Sequence, residues 1–164
     1  MQISKGVEWA CHAAALMSAL PHDKALKAEA LARYHEVPAA YMAKQLQALS
    51  KAGIVHSSRG ARGGYRLAKP PAEINLWDIT AAIEGVKPAF KCMEIRQNGP
   101  CPARKDSCET PCSIAASFIV AETAFRDSLK SVSLMTIALG VMGIKTREET
   151  RQLLAWIANE GVQI

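Results

Sequence analysis

Aromatic residues are scarce in this chain of 164 residues, 5% of positions against 49% hydrophobic overall. Ala, Leu, Ile and Val carry most of the apolar content, which points away from an all-β protein and toward a mainly helical one. Long apolar runs are missing too. No stretch approaches the roughly 20 apolar residues of a membrane span, so a soluble chain with no membrane partner is expected. Catalytic signatures are also absent: there is no dinucleotide fingerprint, no Walker-type phosphate loop and no Ser/His/Asp grouping, and an enzyme is not expected. No internal repeat is visible. The length allows one compact domain or two small modules.

The Ala-rich stretch Ala10 to Leu20 after Lys5 superficially resembles a signal peptide. Glu8 and His12 interrupt it, however, and Ile3, Val7, Ala10, Ala14 and Met17 recur at spacings of 3 and 4, as one face of a helix does. An intracellular, cytoplasmic protein is expected. In a reducing compartment its five cysteines are free for metal or redox chemistry rather than for a disulfide framework.

Charge is unevenly spread. Between Pro21 and Pro70 nine basic residues face three acidic ones, a net +6 that exceeds the +5 of the whole chain. Positive charge gathered in one segment suits a protein that meets a polyanion.

That segment also carries a helix-turn-helix pattern. Lys24 to Tyr34 alternates Leu26, Ala30, Leu31 and Tyr34 with charged positions, predicting a short amphipathic helix. His35, Glu36 and Val37 form a break. A second helix follows, with Pro38 in its first turn, Gly53 at its left-handed stop and Met42, Leu46 and Leu49 facing inward. The opposite face presents Ala40, Lys44, Gln47 and Lys51, flanked by Tyr41 and Gln45. The second helix of such a motif enters the major groove. Next come two short strand-like runs, Ile54 to Ser58 and Tyr65 to Leu67, joined by Arg59-Gly60-Ala61-Arg62-Gly63-Gly64. This is a hairpin wing whose glycines let backbone approach DNA and whose Arg59 and Arg62 suit a narrow groove. The candidate DNA-binding residues are thus Ala40, Tyr41, Lys44, Gln45, Arg59 and Arg62.

Beyond Pro70-Pro71, Asn75 and Asp78 form a capping box for a short helix ended by Gly85. Periodicity then lapses from Lys87 to Pro111. It resumes at Ser113, where Ile114, Phe118, Ala121, Phe125, Ser128 and Val132 are spaced as in a helix that packs along a partner helix, a candidate dimerisation element. Thr146 and Glu149 cap a last helix with Leu153, Leu154, Trp156 and Ile157 on its apolar side. The expected organisation is a winged helix-turn-helix DNA-binding domain over 1–86, a cysteine-rich loop over 87–112, and a dimerisation helix with a C-terminal helix over 113–164. The fold class is mainly α with a small β-hairpin wing.

Cys92, Cys101, Cys108 and Cys112 fall within 21 residues as C-x8-C-x6-C-x3-C, while Cys11 stands apart. The pattern matches neither the paired C-x2-C of a zinc ribbon nor a thioredoxin C-x-x-C. Thiolates are soft ligands for zinc, iron–sulfur clusters or Cu(I), and Lys91, Arg96, Arg104 and Lys105 supply positive charge around them. Glu8 and His12, four apart on α-helical spacing, share a face opposite the apolar stripe and are free to complete a partly thiolate-ligated site. A zinc site or a thiol/disulfide switch in the cysteine loop is the alternative.

The chain resembles the IscR/NsrR/RsrR family of bacterial winged-helix regulators. The resemblance rests on Val7-Glu8-Trp9-Ala10 with His12, Val37 to Lys44, Ala52-Gly53-Ile54-Val55, the wing from Arg59 to Tyr65, Phe90-Lys91-Cys92, Cys108 and Pro111 to Ala115. It implies a homodimeric transcription factor on a palindromic operator in double-stranded DNA, sensing redox or nitrosative state through a cluster in the loop. Val7 to His12 looks most like the RsrR branch. There the resemblance implies a [2Fe–2S] cluster bridging the dimer, with Glu8 and His12 from one chain and Cys92 and Cys112 from the other. Cys101 and Cys108 depart from that pattern: either replaces a ligand or serves in a disulfide once the cluster is lost.

Overall fold

The computed structural model describes residues 3–60 and 62–164. Ala61, part of the wing motif, lies outside them. Seven α-helices and two small antiparallel strand pairs follow in this order among the described residues: α1 (Lys5–Met17), β1 (Lys24–Ala25), α2 (Ala28–Tyr34), α3 (Ala39–Lys51), β2 (Val55–Ser58), β3 (Gly64–Leu67), α4 (Leu76–Glu84), α5 (Ser113–Lys130), α6 (Leu134–Gly143), α7 (Arg147–Glu160) and β4 (Val162–Gln163).

The core forms where the apolar stripes converge. α1 packs on α3, α4 and α6, and its Ala10, Ala13 and Ala14 are fully buried. Small side chains there let the helices approach closely. Leu31 of α2, Met42, Leu46 and Leu49 of α3, Ile79 of α4 and Leu134 of α6 are all 0% exposed and complete this core. The inward stripe expected of α3 is therefore the one observed.

Local chemistry sets the joints. Between α2 and α3 the chain reverses at Glu36, which adopts a left-handed φ of 52°, and Val37 N donates to Ala32 O at 3.0 Å. α3 stops at Gly53, φ 70°, where Ile54 N reaches Leu49 O and Gly53 N reaches Ser50 O, both at 3.0 Å. These are the paired bonds of a glycine-stopped helix. Both expected capping boxes are present, Asn75 with Asp78 and Thr146 with Glu149.

Three expectations are corrected. Lys24 to Leu26 is not helical: β1 pairs with β4, Lys24 opposite Gln163, and Leu26 bridges Tyr65. Helix α2 therefore begins only at Ala28. The dimerisation helix ends at Lys130 rather than running through Val132, and a separate α6, capped by Ser133, stands between it and α7. Leu154, expected on the apolar side of α7, is 52% exposed.

Candidate DNA interface and thiol loop

α3 presents Ala40, Tyr41, Lys44, Gln47 and Lys51 to solvent. Gln45, expected among them, is instead 7% exposed. Its amide lies against Gly6 of α1, so that a Cβ added at Gly6 would meet it at 3.1 Å. A side chain on the flank of a helical projection turns inward when a neighbouring helix leaves room, and the missing side chain at Gly6 leaves that room. Gln45 joins α1 to α3 and is buried rather than presented to solvent.

The wing has the expected antiparallel register, from Val55 opposite Leu67 to Ser58 opposite Gly64. Arg59 and Arg62 are exposed at its turn. Gly63 N closes the turn on Gly60 O at 2.8 Å, and a Cβ at Gly63 would lie 2.5 Å from Ser58 O, so no larger residue fits there.

On α1, Glu8 and His12 are both exposed on one face. His12 lies beside His35, at the turn of the helix-turn-helix, with ring centroids 5.6 Å apart. Burial, and then the charge of His12, push His35 down to about 4. Nothing in the local sequence signals this pair, which only the α1–α2 packing creates. Between Glu8 and His12, Trp9 meets Tyr41 of α3 edge to face.

The segment from Lys87 to Pro111 is a loop with two short 3-10 turns, Ile95–Gln97 and Lys105–Cys108. Its start is pinned to α5: Phe90 stacks on Phe118 at 4.6 Å, and Ala89 N donates to Glu122 Oε2. Within the loop Cys92 Sγ donates to Glu94 Oε1 and receives Glu94 N, both at 3.4 Å. Glu94 holds a left-handed φ of 48°. Arg96 ties the two ends together: it pairs with Glu94 at 2.8 Å and donates to Thr110 O at 2.7 Å and Ser107 O at 3.3 Å. The Arg96 hydrogen bond, aided by the Cys92 thiol, holds the Glu94 carboxyl below the usual carboxylate range. The bond to Glu94, and to a lesser degree the charges of Cys108 and Cys112, raise Arg96 in turn.

Cys92, Glu94 and Cys108 line one shallow cavity with Phe90 and Ile119. Cys112 caps α5, its Sγ accepting from Ala115 N at 3.4 Å. Cys101 is exposed and takes no part in that cavity. Glu94 escaped the sequence reading, although its position two residues after Cys92 was a usable signal. Among the described residues, no three His, Cys, Asp or Glu side chains within this one chain gather as a metal site would require.

A family model described as Rrf2, an iron-dependent transcriptional regulator, matches residues 3–139. The chain belongs to the Rrf2 family. The chain is 43% identical over 79 residues to an HTH-type transcriptional regulator of Aquifex aeolicus, a match covering 48% of the chain and 54% of that protein. It is 36% identical over 85 residues to the HTH-type regulator YwgB of Bacillus subtilis, covering 52% and 54%. The chain thus spans about half the length of these two relatives. Among solved structures it resembles T. potens IscR, with a TM-score of 0.65 at 20% identity over 90% of this chain and 93% of that one. It also resembles CymR, the global cysteine regulator of B. subtilis, with a TM-score of 0.64 at 22% identity over 84% and 96%. Those likenesses establish the winged-helix Rrf2 fold, mostly helical with a two-stranded hairpin. Among the described residues no helix is long and apolar enough to cross a membrane.

Proposed function

We propose that this Rrf2 regulator is a homodimer that binds a palindromic operator and senses redox or nitrosative state through a [2Fe–2S] cluster shared between its subunits. The observation that carries this reading is the division of ligands. α1 exposes a carboxylate and an imidazole on one face, the loop gathers thiols near a guanidinium, and among the described residues of one chain no three such ligands gather. Glu8 and His12 of one subunit with Cys92 and Cys112 of the other form a donor set of soft thiolates, imidazole and carboxylate that fits an iron–sulfur cluster. Arg96, flanked by Cys108 and Cys112, supplies positive charge for an anionic group.

Dimerisation supports the same reading. Of the residues of α5 only Ala115 is buried, while Ile114, Phe118, Ile119 and Val120 are 51–68% exposed. Exposed apolar side chains spread round a helix this open within one chain suit a second copy of the helix. When bound, the cluster supplies a one-electron change of charge at its ligands. The chain conveys any displacement of α1 directly, because Trp9 touches Tyr41 on the DNA-facing surface and Gly6 abuts Gln45 on the inner side of the same helix.

The test is an anaerobic visible spectrum of freshly isolated protein before and after dithionite, with iron and sulfide assays on the same sample. Visible bands that bleach on reduction, with about two irons and two sulfides per cluster, support the proposal. A colourless protein holding zinc, or only titratable thiols, overturns it.

A further inference from the structure

A cleft of about 310 Å³ separates the C-terminal end of α1 from the base of the wing. Met17, Leu20, Pro21 and Leu67 contribute apolar walls, and its polar side chains are those of Ser18, His22, Arg66 and Lys69. Ligand sites are commonly clefts of this kind, apolar with a few convergent polar groups and a volume from about 300 Å³ upward.

The charge in this cleft is uncompensated. Among the described residues, none of the ion pairs involves Arg66, Lys69 or His22. Asp23, next in sequence to His22, turns the other way, its carboxylate accepting from Gln163 Nε2 at 2.7 Å. Glu73 lines a neighbouring cleft that Lys69 also borders, but makes no ion pair with it. Arg66 carries the clearest signal. Its Nε is enclosed and has no hydrogen-bond partner among the described residues, whereas buried donors in folded proteins nearly always have one. A guanidinium held on a β-strand, partly removed from water and lacking a carboxylate, is matched to an oxyanion that it can grip through parallel N–H donors.

We infer that this cleft binds a small organic anion, a phosphate monoester or carboxylate with an apolar tail. Arg66 grips the anionic head, Lys69 and His22 flank it, and Leu20, Pro21 and Leu67 receive the tail. The site is separate from the DNA-facing surface of α3 and from the thiol loop, and it depends on no cluster. Because β3 carries Arg66 and joins the wing turn at its other end, an occupant would brace the wing from its base.

The test uses the full-length protein as isolated and titrates phenyl phosphate, inorganic phosphate and uncharged phenol at constant ionic strength by calorimetry. Saturable binding of phenyl phosphate, tighter than inorganic phosphate and absent for phenol, is the expected result. Arg66→Gln should weaken it about tenfold or more, the loss of one charge-assisted hydrogen bond, and Arg66→Lys less. Lys69→Gln keeps the question open to experiment if Arg66→Gln folds poorly. Absence of saturable binding to the wild type overturns the inference, as does binding that neither Arg66→Gln nor Lys69→Gln alters. If neither free anion binds but Arg66→Gln lowers duplex affinity and its salt dependence, the cleft contacts a DNA phosphate and the small-ligand site is likewise overturned.

Discussion

Trp9 of α1 meets Tyr41 of α3 edge to face, ring centroids 6.0 Å apart and planes at 70°. One ring sits between Glu8 and His12, the two ligands proposed on α1, and the other stands 57% exposed on the surface proposed to enter DNA. Such a pair contributes about 0.5–1.5 kcal/mol beyond simple burial, enough to bias the position of one helix against the other. Trp9→Ala should lower the melting temperature by only a few degrees while bringing the operator affinities of the oxidised and reduced forms toward a common value. An undiminished ratio between the two forms, measured by anaerobic gel shift, would remove this contact from the pathway.

Exposed cations and the buried amide of α3 should separate in their effects. Lys44→Ala and Arg59→Ala each remove one exposed charge proposed to reach a phosphate, so each should weaken operator binding and reduce the slope of log affinity against log salt by about one. Gln45→Ala should leave that slope alone. Its side chain packs against Gly6, and losing it should appear as a lower thermal midpoint for the protein without DNA.

The five thiols should react at very different rates. Burial pushes the Cys11 thiol up to about 11, so at pH 8 only about one molecule in a thousand carries the nucleophilic thiolate there. Cys101 is exposed on the loop. With iodoacetamide on metal-free protein, mass spectrometry of digested samples should find Cys101 modified early and Cys11 last. Raising the pH toward 11 should accelerate Cys11 most.

Much of this was legible because its causes are local. The Glu36 reversal, the Gly53 stop, the Gly63 turn and two capping boxes each follow from a few adjacent residues, and the helix-turn-helix and wing appeared where those residues placed them. What escaped depends on distant partners. β1 is extended because Val162 and Gln163 return to pair with it, and Lys24 Nζ adds a bond to Ala158 O at 3.0 Å. No helical periodicity over 24–34 records that. α6 was hidden because its segment is apolar on nearly every side, and the 4-3 spacing of α5 ran on to Val132 across a break that only Ser133 marks. In the loop, four cysteines pointed to the metal or redox chemistry proposed above, but the contacts of Glu94 and Arg96 emerged from folded geometry.

The open face of α5 makes dimerisation sensitive to a single charge. Val120 is 68% exposed and Phe118 51%. Val120→Asp would place an unpaired carboxylate in an apolar interface, at a cost of several kcal/mol. Sedimentation should show a monomer at concentrations where the wild type is dimeric, with unchanged helical content. Phe118→Asp is a harsher variant, because it also takes away the stacking partner that holds Phe90 and the start of the loop. A Val120→Asp protein that remains dimeric would place the subunit contact elsewhere.

The loop residues sort themselves by what Arg96 touches. Its guanidinium links Glu94 near Cys92 with the backbone at Ser107 and Thr110, on either side of Cys108. Without it the two halves of the loop lose the two hydrogen bonds that cross it, to Ser107 O and Thr110 O, and the left-handed Glu94 loses the bond that helps hold it. Arg96→Ala should therefore free the loop: limited proteolysis between Cys92 and Cys112 should quicken several-fold in metal-free protein, before any question of iron arises. Cys101→Ser should leave both that protection and any iron content unchanged, since Cys101 is exposed on the loop and, unlike Cys108 and Cys112, exerts no charge on Arg96. Cys92→Ser should abolish iron binding. Between Cys108→Ser and Cys112→Ser, the substitution that also abolishes it identifies the second thiolate. The proposed assignment to Cys112 fails if iron is retained in Cys112→Ser and lost in Cys108→Ser.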